Sequence, residues 1–307
     1  MMKRIVTLPV ALVLLCLSGM AQIDSLAVRD SAAVTVTAVD TIETTTIVDV
    51  PSISHSTPRP DKVYSIKPSV DIPVTVIAGG WSGYAFTKIY SKDPSTTEQI
   101  QNLRVSDING FDRWAADIHS EKAAEISDLL FYGSMPLPAL LFLDKDIRKD
   151  AGKISFLYLE AMSVTGLLYT GATYLTDRYR PYAYNPSVPM GDRTEGGAKN
   201  SFFAGHVALV GTSTFFVAKV FADYHPDSKL KYWFYSGAAL ATAATGYLRH
   251  RGGRHFPSDV LLGTAVGTLS GILIPHFHKN KLFKDPNLSL LPFTGNAHGL
   301  ALVYKFR

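Results

Sequence analysis

Between residues 71 and 276 the chain keeps returning to long apolar runs, roughly 71–88, 127–144, 154–176, 203–222, 231–248 and 257–276, divided by polar joints. They read as helices. Small residues thread through them, as in "SGAALATAATGY" and "LLGTAVGTLSG", and let helix backbones approach closely, as in membrane bundles. The expected fold is all-α: a multi-helix bundle embedded in a membrane. Charged residues make up only 18% against 47% hydrophobic, below the roughly 25% charged of ordinary soluble domains. Glu160 inside the third run keeps a large soluble helical core as the alternative. "FDRWAADIHSEKAAEISDLL" (111–130), ahead of the second run, reads as an amphipathic helix lying on the membrane or against the bundle.

The start, "MMKRIVTLPVALVLLCLSGMAQ", has a basic head, an apolar stretch and a small-residue cleavage site. Residues 1–21 are expected to be a secretory signal, too short to span. Cys16 lies inside it, and the bulky Leu15 argues against a lipid anchor there. The mature chain then holds no cysteine, which excludes disulfides, thiolate metal sites and cysteine nucleophiles. Residues 22–70, rich in Thr, Val, Ser and Asp with Pro51, Pro58, Pro60 and Pro68, read as a disordered, flexible exported linker. The helical domain is expected over 71–284. In the tail, 285–307, the alternation of "NLSLLPFTGNAHGLALVYKFR" around Gly-Asn predicts a short hairpin. A net charge of +4, scattered along the chain, does not point to nucleic acid.

Basic residues crowd alternate joints: Lys145, Arg148, Lys149 and Lys153; Lys219, Lys229 and Lys231; Lys279, Lys281 and Lys284. By the positive-inside rule these joints face the cytoplasm, and the joints after the third and fifth runs face outward. A fully spanning first run would invert this order if the N-terminal tail is exported. Pro73, Gly79, Gly80 and Gly83 argue that it does not span. The expected location is a bacterial cell envelope, in the inner membrane with the outward joints in the periplasm. A soluble periplasmic protein is the alternative.

Those outward joints hold the chemistry: "TDRYRPYAYNP" (176–186), "NSFFAGHVAL" (200–209) and "LRHRGGRHFPSDV" (248–260). Each alone reads as a solvated loop or helix end. Together, on one face of one bundle, they read as a site. Arg178, Arg180, Arg249, Arg251 and Arg254 offer forked donors that suit phosphate oxygens and repel cations. Zinc on His250, His255 and Asp259 is disfavoured by that charge, and no metal or other cofactor is expected. Pro257 suits the first turn of a helix. Asp259 then reaches back to His255, as a carboxylate orients an imidazole in a catalytic triad.

Arg180-Pro181, then Gly205-His206, then Arg249-x5-His255-x3-Asp259 resembles the three-part signature of the type 2 phosphatidic acid phosphatase superfamily. The resemblance spans about residues 155–276. That superfamily includes membrane lipid phosphatases, soluble bacterial acid phosphatases and vanadium haloperoxidases. The resemblance implies an all-helical phosphatase that hydrolyses a phosphomonoester or diphosphate without metal. It implies that His255 is the nucleophile, Asp259 its orienting partner, and His206 the acid and then the base. Arg180, Arg249 and the Gly205 N–H would bind the phosphoryl oxygens.

Three positions depart from the pattern: Thr173 stands for a lysine, Ala204 for a serine and Leu248 for a serine. Arg178 is expected to replace the missing lysine as a substrate ligand. The expected partners are a phosphorylated lipid substrate and membrane lipids; nothing indicates an oligomeric state. The alternatives are a soluble phosphatase of small phosphomonoesters and a non-catalytic phospholipid-binding homologue. A vanadate enzyme is disfavoured by the lost lysine.

Overall fold

The computed structural model describes residues 63–279 and the backbone of 288–293 and 299–304. The expected signal and most of the expected linker lie outside the described residues. Six long helices form the bundle: α1 (Pro68–Tyr90), α2 (Glu121–Ser134), α3 (Ala151–Tyr174), α4 (Gly205–Tyr224), α5 (Leu230–Arg251) and α6 (Pro257–Phe277). Strands β1 (Leu288–Phe293) and β2 (Gly299–Tyr304) pair antiparallel, Leu288 opposite Tyr304, in the hairpin that the alternation predicts.

The helices begin where local chemistry lets them. Pro68 opens α1 and Pro257 opens α6, each at a position whose N–H has no helical partner anyway. The Ser120 hydroxyl accepts from Ala123 N at the start of α2. Two expectations shift here. The stretch 111–130 is not one helix: Arg113–Ala115 is a single 3-10 turn and α2 starts only at Glu121. The residues before it are held as a loop, in which Asp112 accepts from Ser258 N at 2.9 Å. The second apolar run is not one α-helix either. It changes to a 3-10 helix over Leu137–Leu143, where Pro136 and Pro138 lack the N–H groups an α-helix needs.

Tight packing of α6 on α4 uses a stripe of glycines. A Cβ at Gly263, Gly267 or Gly271 would stand 2.5, 2.2 or 2.6 Å from the carbonyl oxygens of Ala204, Ala208 and Thr212. Hydroxyls tie the same layer: Thr165 of α3 and Thr212 of α4 share a hydrogen bond of 2.8 Å. One core cluster gathers Tyr64, Leu141, Ile147, Ile154, Leu157, Phe216 and Val220. A second gathers Ile89, Tyr169, Phe203, Ala208 and Val266, nearer the N-terminal ends of α4 and α6. Tyr64 corrects the expected linker boundary. It is fully buried and donates to Asp223 at 2.8 Å, so the packed domain reaches back at least to that residue.

Among the described residues, three segments are long and apolar enough to cross a membrane: Glu121–Leu143, Gly205–Tyr224 and Pro257–Phe277. Large apolar side chains also face outward, among them Ile77, Leu129, Leu143, Trp233 and Leu240. Apolar surface on this scale marks contact with lipid or another protein, and with the apolar helices it suggests a membrane protein.

Candidate active site

The three sequence clusters meet at the end of the bundle where α4 and α6 begin. Extended backbone aligns the first two, with Arg178 and Asn200 forming a β-bridge and Ser201 N donating to Arg178 O at 3.0 Å. The third cluster joins through Ala204 N, which donates to Asp259 O at 3.1 Å. Its loop turns at Gly253 (φ +70°), where a side chain would be strained and a Cβ would stand 2.0 Å from Ile118 O.

His255 is buried, 1% exposed. Its Nδ1 lies 2.7 Å from Ser201 O, and since a carbonyl can only accept, this nitrogen carries the proton. Nε2 is left with its lone pair. Burial, then the nearby charges of Arg249 and Arg180, hold the imidazole pKa well below its ordinary value. The ring is therefore neutral at pH 7.

Asp259 does not touch His255, contrary to expectation. It stands at the third position of α6, where its carboxylate turns back to accept Phe256 N at 3.0 Å. The same carboxylate accepts from Ser201 Oγ at 2.7 Å. Asp259 thus reaches His255 only through Ser201, whose hydroxyl it holds and whose carbonyl holds the ring.

Arg178 also departs from its expected place as a substrate ligand. One arm of its guanidinium donates to Asp259 and to Ser258 Oγ, the other to Asp112 Oδ2 at 2.6 Å. The group lies over the Phe256 ring, 4.7 Å from its centre. Burial alone would raise the pKa of Asp112, but hydrogen bonds from Ser258, Asn109 and Arg178 hold it below the usual carboxylate range. Arg178 is spent on two buried carboxylates.

Arg249 and His206 share a partner that no motif announces. Arg249 Nη1 donates to Asp128 Oδ1 at 2.7 Å, and His206 Nε2 lies 3.2 Å from the same oxygen. Ser127 Oγ takes a second Arg249 bond at 3.2 Å. Arg249 is 4% exposed, yet its Nε has no hydrogen-bond partner among the described residues. Arg180 lies within electrostatic reach of both Arg249 and His255. Gly205 opens α4 with no side-chain cap at Ala204, leaving first-turn N–H groups for a ligand. Its Cα is covered by Tyr169, whose ring a Cβ would meet at 2.5 Å.

Thr173 is fully buried and donates to Tyr169 O and Phe202 O at 3.0 and 2.9 Å. A cation does stand beside it, but on the backbone: Lys92 Nζ donates to the carbonyls of Thr173 and Thr176 at 2.8 and 2.7 Å. Thr173→Lys is therefore expected to give no gain in turnover and to destabilise by ~1–3 kcal/mol through overpacking. A melting curve and a kcat measurement check it; a faster, equally stable variant would show that the position still opens onto substrate.

His250 packs on Trp114 with ring centres 5.2 Å apart. Among the described residues, the group with metal-ligand geometry is Asp71, Glu160 and His278. An apolar groove of about 620 Å³ between α4, α5 and the Leu137–Leu143 turn shares no residue with the histidine and arginine cluster.

The helical bundle brings two histidines, two arginines and a helix N-terminus without a side-chain cap to one end, a set of donors whose chemistry suits an oxyanion. Residues 155–283 match the family model of the PAP2 superfamily. The match supports a phosphatase. A solved structure, the first transmembrane PAP2 type phosphatidylglycerolphosphate phosphatase from Bacillus subtilis, is 18% identical, with a TM-score of 0.40, covering 67% of this chain and 94% of that one. No curated protein matches the sequence.

Proposed function

We propose that the protein is an exported membrane phosphatase that removes phosphate from a lipid phosphate or diphosphate through a phosphohistidine, without metal. The observation that carries this reading is the unpaired Nε of buried Arg249 beside neutral His255. A buried guanidinium N–H without an acceptor is costly unless a ligand supplies one, and a phosphoryl oxygen is the matching acceptor.

In this reading His255 Nε2 attacks phosphorus, and the bond to the leaving oxygen breaks as His206 protonates it. His206 then takes a proton from water, which attacks the phosphohistidine and releases inorganic phosphate. Arg249, Arg180 and the Gly205 N–H hold the phosphoryl oxygens as charge shifts among them. Asp128, shared by His206 and Arg249, keeps both side chains aimed while substrate is absent. Asp259, through Ser201, fixes the His255 ring with its free lone pair outward. The apolar outer surface supports a lipid substrate. The charge pattern of the joints supports an inner-membrane location with the site on the periplasmic side.

The test is phosphate release by purified protein, in excess chelator well below its melting temperature. The panel holds phosphatidate, a polyprenyl diphosphate, a phosphorylated lipopolysaccharide anchor and soluble aryl and alkyl phosphates. Release from at least one lipid is expected. No release from any substrate overturns the enzyme and leaves a phospholipid binder. Release confined to soluble esters, by a protein extracted without detergent, favours the soluble alternative. On the same panel, His206→Ala is expected to slow alkyl phosphates by ~10²–10⁴-fold and aryl phosphates far less, because a good leaving group needs little protonation. Equal losses on both classes would remove His206 from the acid role.

A further inference from the structure

At the opposite end of α6 from the catalytic cluster, three side chains from three helical elements meet. Asp71 comes from the first turn of α1, Glu160 from α3, and His278 follows the last turn of α6. One ligand atom from each lies within 4.8 Å of the other two. His278 Nε2 stands 3.2 Å from Asp71 Oδ2 and 3.5 Å from Glu160 Oε2.

The hydrogen bonds around the group leave it short of a positive charge. His278 Nδ1 is 2.7 Å from Ile274 O, so this nitrogen donates. Nε2 then faces the two carboxylates, the arrangement in which a backbone carbonyl orients a metal-binding histidine. Asp71 Oδ2 accepts from Lys67 N. Glu160 Oε2 is buried with no hydrogen bond, on a residue 4% exposed.

Distance separates the two ways of filling this gap. A proton on Nε2 would make charge-assisted bonds of ~2.7–2.9 Å to the carboxylates, shorter than both observed separations. Ligands held tetrahedrally at ~2.0–2.2 Å from one ion stand roughly 3.3–3.6 Å apart, close to both. The donor chemistry narrows the ion. Imidazole disfavours calcium and magnesium, which take oxygen ligands, and the lack of thiolate disfavours monovalent copper.

We propose that Asp71, Glu160 and His278 bind a divalent cation of the zinc or manganese class, with a fourth position open to water. The ion is structural. Helix α6 has 21 residues, so at ~1.5 Å per residue it separates this group from His255 by about 30 Å, too far to act on a phosphoryl group. Glu160 and His278 lie inside the family match and Asp71 outside it. The ion therefore fastens α1, which precedes the match, to α3 and the end of α6.

The test uses the full chain in detergent, stripped with chelator, then loaded separately with zinc or manganese and washed. Metal content by mass spectrometry and the melting temperature are both read. About one ion per chain is expected for one of the two metals, with a rise of several degrees that chelator reverses. Glu160→Gln and His278→Gln should lose both the ion and the rise, whereas His255→Asn should keep them. If neither metal binds stoichiometrically and wild-type melting ignores metal and chelator, a proton fills the group and the proposal fails. It fails also if the ion and the rise survive in Glu160→Gln. Should the two variants not fold, the wild-type titration decides. None of these readouts depends on phosphatase activity.

Discussion

If His255 acts as proposed, His255→Asn is expected to abolish phosphate release, by at least about 10⁴-fold, in a protein that still folds. The choice of asparagine follows from the geometry. Its amide nitrogen falls near the place of Nδ1 and can keep the 2.7 Å bond to Ser201 O, while nothing remains at Nε2 to attack phosphorus. Alanine is a poorer test, because His255 is 1% exposed and its removal also leaves a void and an unpaired carbonyl. That carbonyl alone costs ~1–3 kcal/mol, so inactivity of the alanine variant would mix chemistry with unfolding. Wild type should also trap an acid-labile phosphoenzyme on rapid denaturation, and His255→Asn should not. Its pH profile carries a further mark. Burial and the two arginines hold the imidazole pKa well below its ordinary value, so the ring gains a proton only below the pH at which a free imidazole does. Loss of nucleophile through protonation then sets in only at lower pH. Full activity in folded His255→Asn removes His255 from the reaction.

The helices that carry this site were legible because the apolar runs are long and Pro257 marks the start of the last one, whereas Pro68 read as linker and the start of α2 at Glu121 was missed. The three motif segments were legible because their order and spacing stand out against apolar surroundings. What escaped the sequence lies in side chains that matter only after folding. Asp128 is one acid in an ordinary amphipathic stretch, 121 positions from the arginine it holds. Asp112 is equally unmarked, and its bond to Arg178 spans 66 positions. The two misplaced roles have one cause. Asp259 is four residues from His255, near enough in sequence to imply contact. Starting the helix at Pro257, however, points the carboxylate at Phe256 N and Ser201, with Arg178 completing its shell. Once Arg178 is committed there, it is not available to substrate. The meeting of Asp71, Glu160 and His278 was invisible for the same reason as Asp128, since nothing local links residues so far apart.

Arg178→Ala should be among the most destabilising single changes in the domain. Asp112 and Asp259 are both fully buried, and the guanidinium binds one with each arm. Removing one partner of a buried ion pair costs ~3–5 kcal/mol, because the carboxylates stay behind without their countercharge. Ser258 and the backbone N–H groups of Phe256 and Ser258 still reach them, which keeps the loss within that range. Arg178→Lys should recover only part of it, since one ammonium on a flexible stem cannot fork to two carboxylates. Adding Asp112→Asn to Arg178→Ala should restore stability relative to the single variant by removing one of the two stranded charges, a coupling that a double-mutant cycle reads directly. Activity should fall with stability, because Asp259 holds the Ser201 side chain, and Ser201 O holds the His255 ring. A ligand role would look different. An Arg178→Ala protein that melts like wild type, keeps kcat and shows only a raised KM would return Arg178 to the substrate and overturn its assignment as the tie between two buried carboxylates.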